Sequence, residues 1–256
     1  MTDDTNLNQP ADDLLARAVR VLDRAEQQLS LISNPVGGTC PIFYDDCVFN
    51  VALPWASFDP YQYKIASRHG VIDTVVLTQL FDLLPSIEGR ALIDVGSYTG
   101  LQALVMRQFM KPSVVHMIEP QKVMRASLER TIAANPEGAA IHLSDDIIGE
   151  DGATMGRAAT RADRLSETAY LRKDNGKLSA RGLDALGIQN VGLINLDIPG
   201  PKIYALRGAA ALLRGDRPAV LTNLSGRDAP EIGAYMDEHD YEFVRVGDHA
   251  ALYLPK

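Results

Sequence analysis

The chain is poor in the residues that build metal or disulfide scaffolds. Cysteine occurs twice in 256 residues, at Cys40 and Cys47. The two can close one small loop, but a pair of free thiols is expected in a cytosolic chain. The five histidines, His69, His116, His142, His239 and His249, show no ligand spacing, so no metal site is expected. No apolar run approaches the ~18–20 residues needed to cross a bilayer, and mean hydropathy is −0.06. Met1-Thr2-Asp3-Asp4 lacks the basic and apolar regions of a signal peptide, so a cytoplasmic location is expected. An excess of positive charge is missing too. The net charge of −8 argues against a general nucleic-acid binder, while leaving room for a local basic pocket.

What is present is the composition of one ordinary globular domain with appendages, 46% hydrophobic and 23% charged. Residues 1–10 are polar and are expected to be disordered. From Ala11 to Ile32, apolar residues such as Leu15, Ala18, Leu22, Ala25, Leu29 and Ile32 recur at spacings of three and four. That periodicity predicts an amphipathic helix. Its stripe must pack on something: on its own domain as the first expectation, in a coiled-coil homo-oligomer as the second. Asn34-Pro35-Val36-Gly37-Gly38 breaks the helix. Residues 39–63 then gather Phe43, Tyr44, Phe49, Trp55, Phe58, Tyr61 and Tyr63. Proline and aromatic content predict an irregular cap or short strands there. Its rings fill a second small core, face a substrate, or do both. Residues 11–64 thus read as helix plus cap, and 65–256 as the main domain.

That domain alternates. A helix is predicted over His69–Leu84, ended by Pro85. Strands follow at Ala91–Val95, Val114–Ile118, Ala140–Leu143, Val191–Leu196 and Ala219–Leu224. Helices separate them at Leu101–Met110, Lys122–Ala134, Ser179–Leu186 and Lys202–Arg214, with a polar loop over Ser144–Lys177. A last helix, Pro230–Glu238, precedes a hairpin of Tyr241–Val246 and Ala250–Leu254. Alternation of this kind predicts an α/β fold: a mostly parallel, Rossmann-like sheet with helices on both faces and a C-terminal antiparallel hairpin.

The densest chemistry lies in Asp94-Val95-Gly96-Ser97-Tyr98-Thr99-Gly100 and in Ile118-Glu119-Pro120. A strand, a glycine turn and a helix can hold a ligand at the open helix N-terminus. An acid ending the next strand can accept two hydrogen bonds from a ribose diol. Together they point to an adenosine-containing cofactor. A dinucleotide fingerprint wants a bare glycine where Tyr98 stands, because pyrophosphate approaches the backbone there. Asp94 also suits a cation better than a phosphate. S-adenosylmethionine (SAM), with an ammonium, a sulfonium and no phosphate, fits better than a nicotinamide cofactor.

The motif order resembles the FkbM-type class I SAM-dependent methyltransferases over about residues 65–255. That family shows Asp-Val-Gly-Ala-Asn-x-Gly where Asp94 to Gly100 stands, and Phe-Glu-Pro where Ile118-Glu119-Pro120 stands. Its Leu-Asp-x-Leu, Ile-Lys-x-Asp-x-Glu-Gly-x-Glu and Leu-x-Gly-Ala stretches are met by Leu183 to Leu186, Ile194 to Lys202, and Leu206 to Ala209. Asn195, Pro199, Lys202 and Asn223 stand where the family has Lys, Glu, Glu and Glu. The resemblance implies a class I methyltransferase fold and methylation of a hydroxyl on a small molecule or carbohydrate. The departures leave a second expectation open, a catalytically degenerate fold acting in assembly or regulation.

Ligands of open α/β sheets sit beyond the carboxyl ends of the strands. Asp94, Gly96, Ser97, Tyr98, Thr99, Gly100, Glu119 and Pro120 are therefore expected on the cofactor, with Glu119 on the ribose. Ser144, Asp145 and Asp146 are expected near the adenine. Asp197 is the candidate general base or acceptor-positioning group. Asn195 shares its strand face, and His69 is a candidate second base. Lys202 reads as a solvated lysine or as a contact for an anionic substrate.

Overall fold

The structure, a computed structural model, describes residues 38–57, 59–158, 170–173, 178–198, 201–224 and 229–256. The expected disordered N-terminus, the helix over 11–32 with its coiled-coil alternative, Phe58, and Pro199 with Gly200 lie outside them. Among the described residues no helix is long and apolar enough to cross a membrane.

A hairpin of β1 (Cys40–Tyr44) and β2 (Cys47–Val51) opens the described chain. Helix α1 (Pro60–Arg68) follows, capped by Asp59, whose carboxylate accepts from the Tyr61 and Gln62 amides at 2.9 Å. Helix α2 (Thr74–Leu83) leads to β3 (Ala91–Val95), α3 (Leu101–Met110), β4 (Val114–Ile118), α4 (Lys122–Ala133) and β5 (Ala140–Ser144). A three-stranded excursion follows, of β6 (Thr154–Ala158), β7 (Tyr170–Lys173) and β8 (Leu178–Ser179). The chain returns through β9 (Val191–Leu196), α5 (Ile203–Arg207), α6 (Ala210–Gly215), β10 (Ala219–Asn223) and α7 (Ala229–Glu238). It ends in a hairpin of β11 (Tyr241–Val246) and β12 (Ala250–Pro255).

The main sheet has seven strands in the order β11-β12-β10-β9-β3-β4-β5. Its first five strands in sequence pair in parallel, and β12 joins β10 antiparallel. This is the Rossmann-like sheet with a terminal hairpin that the alternation predicts. The strand order reverses between β3 and β9, which makes their C-terminal ends the switch point where such sheets bind ligands.

Period-two alternation divides the core between the two faces of the sheet. Leu92, Val115, Met117, Leu193 and Leu221 pack on one face with α2, α3 and the first hairpin. Ile93, Val95, Ile194, Leu196 and Val220 pack on the other with α5, α6 and α7. Among the described residues the cap's hairpin therefore joins the main core and builds no second one. Phe49, Ile42 and Val51 belong to the first face's core, and Tyr44 sits edge-on to Phe81 and Phe109.

Three expected helices are corrected. The helix expected from His69 starts at Thr74, because His69 terminates α1 in a left-handed conformation at φ 46° and Gly70 bridges to Phe43. Over Ser179–Leu186 only a 3-10 turn forms, at Asp184–Leu186. There the Asp184 carboxylate accepts from the Ala211 and Leu212 amides instead of serving a helix of its own. The helix over Lys202–Arg214 is broken at Gly208, whose backbone is pressed against Gly149 and Gly182 so closely that a Cβ would collide with the Gly149 carbonyl. The polar loop over Ser144–Lys177 also contains β6 and β7.

Candidate functional site

The face alternation that buries Leu92, Leu193 and Leu221 carries polar residues at its C-terminal end. Asp94, Asn195, Asp197 and Asn223 continue the same face of β3, β9 and β10, each two residues beyond the last. Asp94 pairs with Asn195 in register, and the Asn195 Nδ2 donates to Asp94 Oδ1 at 2.7 Å. One strand further, Asn223 Nδ2 donates to Asp197 Oδ1 at 2.6 Å.

The turn after β3 is fastened to its neighbours. The Gly96 and Ser97 amides donate to the Ile118 carbonyl, and the Ser97 hydroxyl donates to the Asp94 carbonyl at 2.9 Å. Gly96 has φ +85°, and a Cβ on it would run into the Asp197 carbonyl oxygen. Here β3 and β9 approach so closely that only glycine fits. Gly100 ends the turn at φ +78° as the N-cap of α3, against Leu128. Tyr98 takes φ +50° between them and is only 8% exposed.

Two adjoining cavities lie here. The first, about 30 Å³, lies against the turn and is walled by Asp94, Gly96, Ser97, Tyr98, Thr99 and Leu101, among others. The second, about 320 Å³, lies toward β10 and the last hairpin, walled by Lys64, Asp73, Thr222, Asn223 and His249, among others. Tyr61, Ile72, Gln102, Asn195 and Asp197 border both. The Tyr61 and Tyr98 rings meet edge-on, with centroids 5.6 Å apart.

Burial dominates the electrostatics. Asp94 is 2% exposed. Loss of water raises its pKa to about 6, against hydrogen bonds from Ser97 and Asn195 and with added repulsion from Asp197. Glu119, 3% exposed, is raised to about 7, again mainly by burial. Its Oε1 accepts from the Gln121 amide at 2.9 Å and its Oε2 from the Tyr98 amide at 3.1 Å. Burial also raises Asp197, with Asn223 as the main opposing influence.

The structure therefore brings Asp94, Gly96, Ser97, Tyr98, Thr99, Asn195 and Asp197 onto shared cavity walls. Glu119 stands one hydrogen bond away, holding Tyr98. The Glu119 and Pro120 carbonyls accept from Arg125 Nη1. Arg125 also reaches Asp145 at 3.4 Å, where the Asp145 side chain is 73% exposed. Asp145 and Ser144 border a third cavity, of about 420 Å³, beside α4 and β5. Asp146 pairs with Arg181 at 3.4 Å. His69 is not brought to the site. Its Nδ1 lies 3.0 Å from the Pro41 carbonyl and 3.5 Å from Cys40 Sγ, behind the first hairpin. Lys202 is fully buried, not solvated.

Tyr61 belongs to the cap aromatics for which facing a substrate is one expectation; sequence reading missed Asp73, Gln102 and His249. Asp73 carried a usable signal, an acid directly before an apolar helix. Gln102 and His249 carried none, since only the folded sheet brings them together.

No protein-family model matches the chain, and no curated protein is similar to it. Solved structures similar to it include a methyltransferase FkbM from Methylobacillus flagellatus, at 18% identity and a TM-score of 0.49. That match covers 66% of this chain and 44% of the other, so the chain spans less than half of that protein's length. A methyltransferase from Geobacter sulfurreducens is 13% identical with a TM-score of 0.46, over 77% of this chain and 88% of the other. A ribosomal protein L11 methylase from Lactobacillus delbrueckii is 14% identical with a TM-score of 0.42, over 72% and 77%.

Proposed function

We propose that this protein is a SAM-dependent methyltransferase acting on a hydroxyl of a small molecule, sugar or glycan. One observation carries the cofactor. Asp94 is a buried carboxylate on a cavity wall at the switch point, and no lysine, arginine or histidine among the described residues pairs with it. A buried carboxylate without a cation is costly. A ligand bringing an ammonium and a sulfonium repays that cost better than a phosphate would.

The donor set suits the cofactor chemically. Asp94 faces the cations. Glu119 keeps a second lone pair on each oxygen for the ribose hydroxyls. The cavity against the turn is too small for an adenosine as it stands, since small-molecule pockets hold roughly 300–1,000 Å³. Binding therefore moves Tyr98 or Tyr61 aside. When bound, the cofactor supplies an activated methyl group. This chain's residues supply the rest: they exclude water, align the acceptor and take its proton. The larger cavity, with Asn195, Asp197 and Asn223 on its wall, is the acceptor's place. Asp197, held by Asn223, positions the acceptor hydroxyl.

The closed state of the small cavity favours a second reading, a retained fold without catalysis. Calorimetric titration with SAM and S-adenosylhomocysteine separates the two. Micromolar binding to wild type is expected, weakened about 100-fold in Asp94→Asn and clearly weakened in Glu119→Gln, as expected for a lost charge-assisted contact. No binding of either ligand to folded wild type would leave only the second reading.

A further inference from the structure

Asp73 is the N-cap residue of α2, yet its carboxylate makes no capping hydrogen bond. An aspartate in that place ordinarily accepts from the first-turn amides. Here it turns into the larger cavity. Its Oδ1 lies 3.3 Å from His249 Nε2, and its Oδ2 accepts from Gln102 Nε2 at 3.3 Å. Gln102 is itself oriented, because its Oε1 accepts from Asn195 Nδ2 at 3.4 Å. Asn195 donates its other proton to Asp94. One hydrogen-bonded chain thus joins Asp94 in the small cavity to Asp73 in the large one through Asn195 and Gln102, and His249 Nε2 stands 3.3 Å beyond it from Asp73 Oδ1. Its polarity is consistent throughout, with a carboxylate accepting at each end and the amides donating outward.

We propose that His249 is the catalytic base of this site and that Asp73 is its positioning residue. The proposal rests on the methyl-transfer reading above. In the neutral imidazole proposed here Nε2 carries its proton toward Asp73, which leaves Nδ1 as the basic nitrogen. As the acceptor oxygen bonds to the methyl carbon of a sulfonium donor, the carbon–sulfur bond breaks with its electron pair left on sulfur. The hydroxyl proton passes to Nδ1, and the imidazolium formed is paired with Asp73. A carboxylate that orients a histidine and stabilises its charged form is a recurrent way to build a base. Three charged groups from other elements share this cavity's wall with His249: Asp73 before α2, Lys64 on α1, and Asp197 after β9. On its own hairpin, Arg245 is tied to the Asp248 carbonyl. Backbone bonding fixes the hairpin, since the Leu224 amide donates to the His249 carbonyl at 2.6 Å.

The test uses the full chain, methyl-tritiated SAM, and a deproteinised small-molecule cell extract as acceptor. Calorimetry with S-adenosylhomocysteine runs beside it. In His249→Gln, methyl transfer is expected to fall about 100-fold or more, the range of a lost general base, while affinity for S-adenosylhomocysteine stays within about twofold. The acid-side limb of the wild-type pH–rate profile is expected to vanish with it. Asp73→Asn is expected to displace that limb and lower kcat with KM nearly unchanged. Transfer by His249→Gln at the wild-type rate, or with the wild-type pH profile, overturns the proposal. So does wild type that binds cofactor and labels nothing, because no proton is then transferred. Wild type that binds neither SAM nor S-adenosylhomocysteine overturns the methyltransferase reading itself, a failure seen in the calorimeter alone. His249 is half-exposed, so its replacement leaves the fold intact.

Discussion

The two cavities that meet at Asp197 are built by different means. The one beside the glycine turn takes about half of its wall from the continuous stretch Asp94 to Gln102, completed by α1, Ile72 and the end of β9, and it is nearly closed. Its carboxylate, Asp94, is buried and raised toward neutrality. The other draws its walls from α1, α2, α3, β9, β10 and the last hairpin, and is some ten times larger. Its histidine and one of its acids pair with each other, at 3.3 Å. The first is set by local backbone geometry and holds charge at a cost. The second is assembled from distant residues and balances its charges. On the proposed reading, the first would hold the cofactor by a motif and the second the acceptor by tertiary contact.

The backbone of the first cavity gives the largest expected effect. Gly96 and Gly100 both have positive φ, so alanine is strained at either. Their surroundings differ. At Gly96 a Cβ meets the Asp197 carbonyl, a backbone atom of a buried strand end. At Gly100 it meets the tip of Leu128, which can turn away. Gly96→Ala is therefore expected to cost about 3 kcal/mol or more, and Gly100→Ala about 1–2 kcal/mol. Urea unfolding of the two variants measures this. Equal losses would mean that the close approach of β3 and β9 does not govern the turn.

Buried acids give the next effect. Asp94 and Glu119 have folded-state pKa values of about 6 and 7, above their ordinary values. The folded state then binds more protons than the unfolded state between about pH 4 and 7. Stability is fully present at the low end of that window and falls as pH rises through it, by at most about 3 kcal/mol for each acid. SAM should act in the opposite sense, because its positive charges favour the ionised acids. Its affinity is expected to rise from pH 5 to pH 8. Ligand-free Asp94→Asn should be more stable than wild type at pH 8 and lose much of the slope. Unfolding at the two pH values, with and without SAM, reads all of this. A ligand-free protein whose stability rises steadily from pH 5 to pH 8 would refute it.

The sequence showed the first cavity far better than the second, and the comparison explains why. Asp94 to Gly100 are consecutive, and a strand–turn–helix constrains them whatever surrounds it. Period two then places Asn195 and Asp197 on one face without further knowledge. Glu119 was legible as a strand-end acid, but its grip on the Tyr98 amide was not, since that depends on how β4 sits beside the turn. The helix over Ser179–Leu186 failed because Asp184 serves another helix, a tertiary use that outweighs local pattern. His69 and His249 look equally isolated in the chain. Only the folded hairpin brings His249 to Asp73, while the end of α1 turns His69 toward Cys40.

The smallest expected effect concerns the aromatic pair on the wall of the first cavity. Tyr98 has no glycine's freedom, yet holds φ +50° with its ring against Tyr61. An edge-on aromatic pair contributes about 0.5–1.5 kcal/mol beyond its burial, and a left-handed tyrosine gives back about 1 kcal/mol or more in strain. The closed arrangement is thus held by a small difference, which ligand binding can reverse. Truncating the ring removes the obstruction but leaves the Tyr98 amide on Glu119. Tyr98→Ala is therefore expected to raise the SAM association rate about tenfold, equivalent to about 1.4 kcal/mol less barrier, with a smaller change in dissociation. Stopped-flow fluorescence using Trp55, the single tryptophan, follows both rates. Tyr61→Ala should accelerate association in the same way, because it removes the other half of the contact. If both variants associate at the wild-type rate, the rings do not close the cavity, and the two chambers differ in size for a reason set by the turn alone.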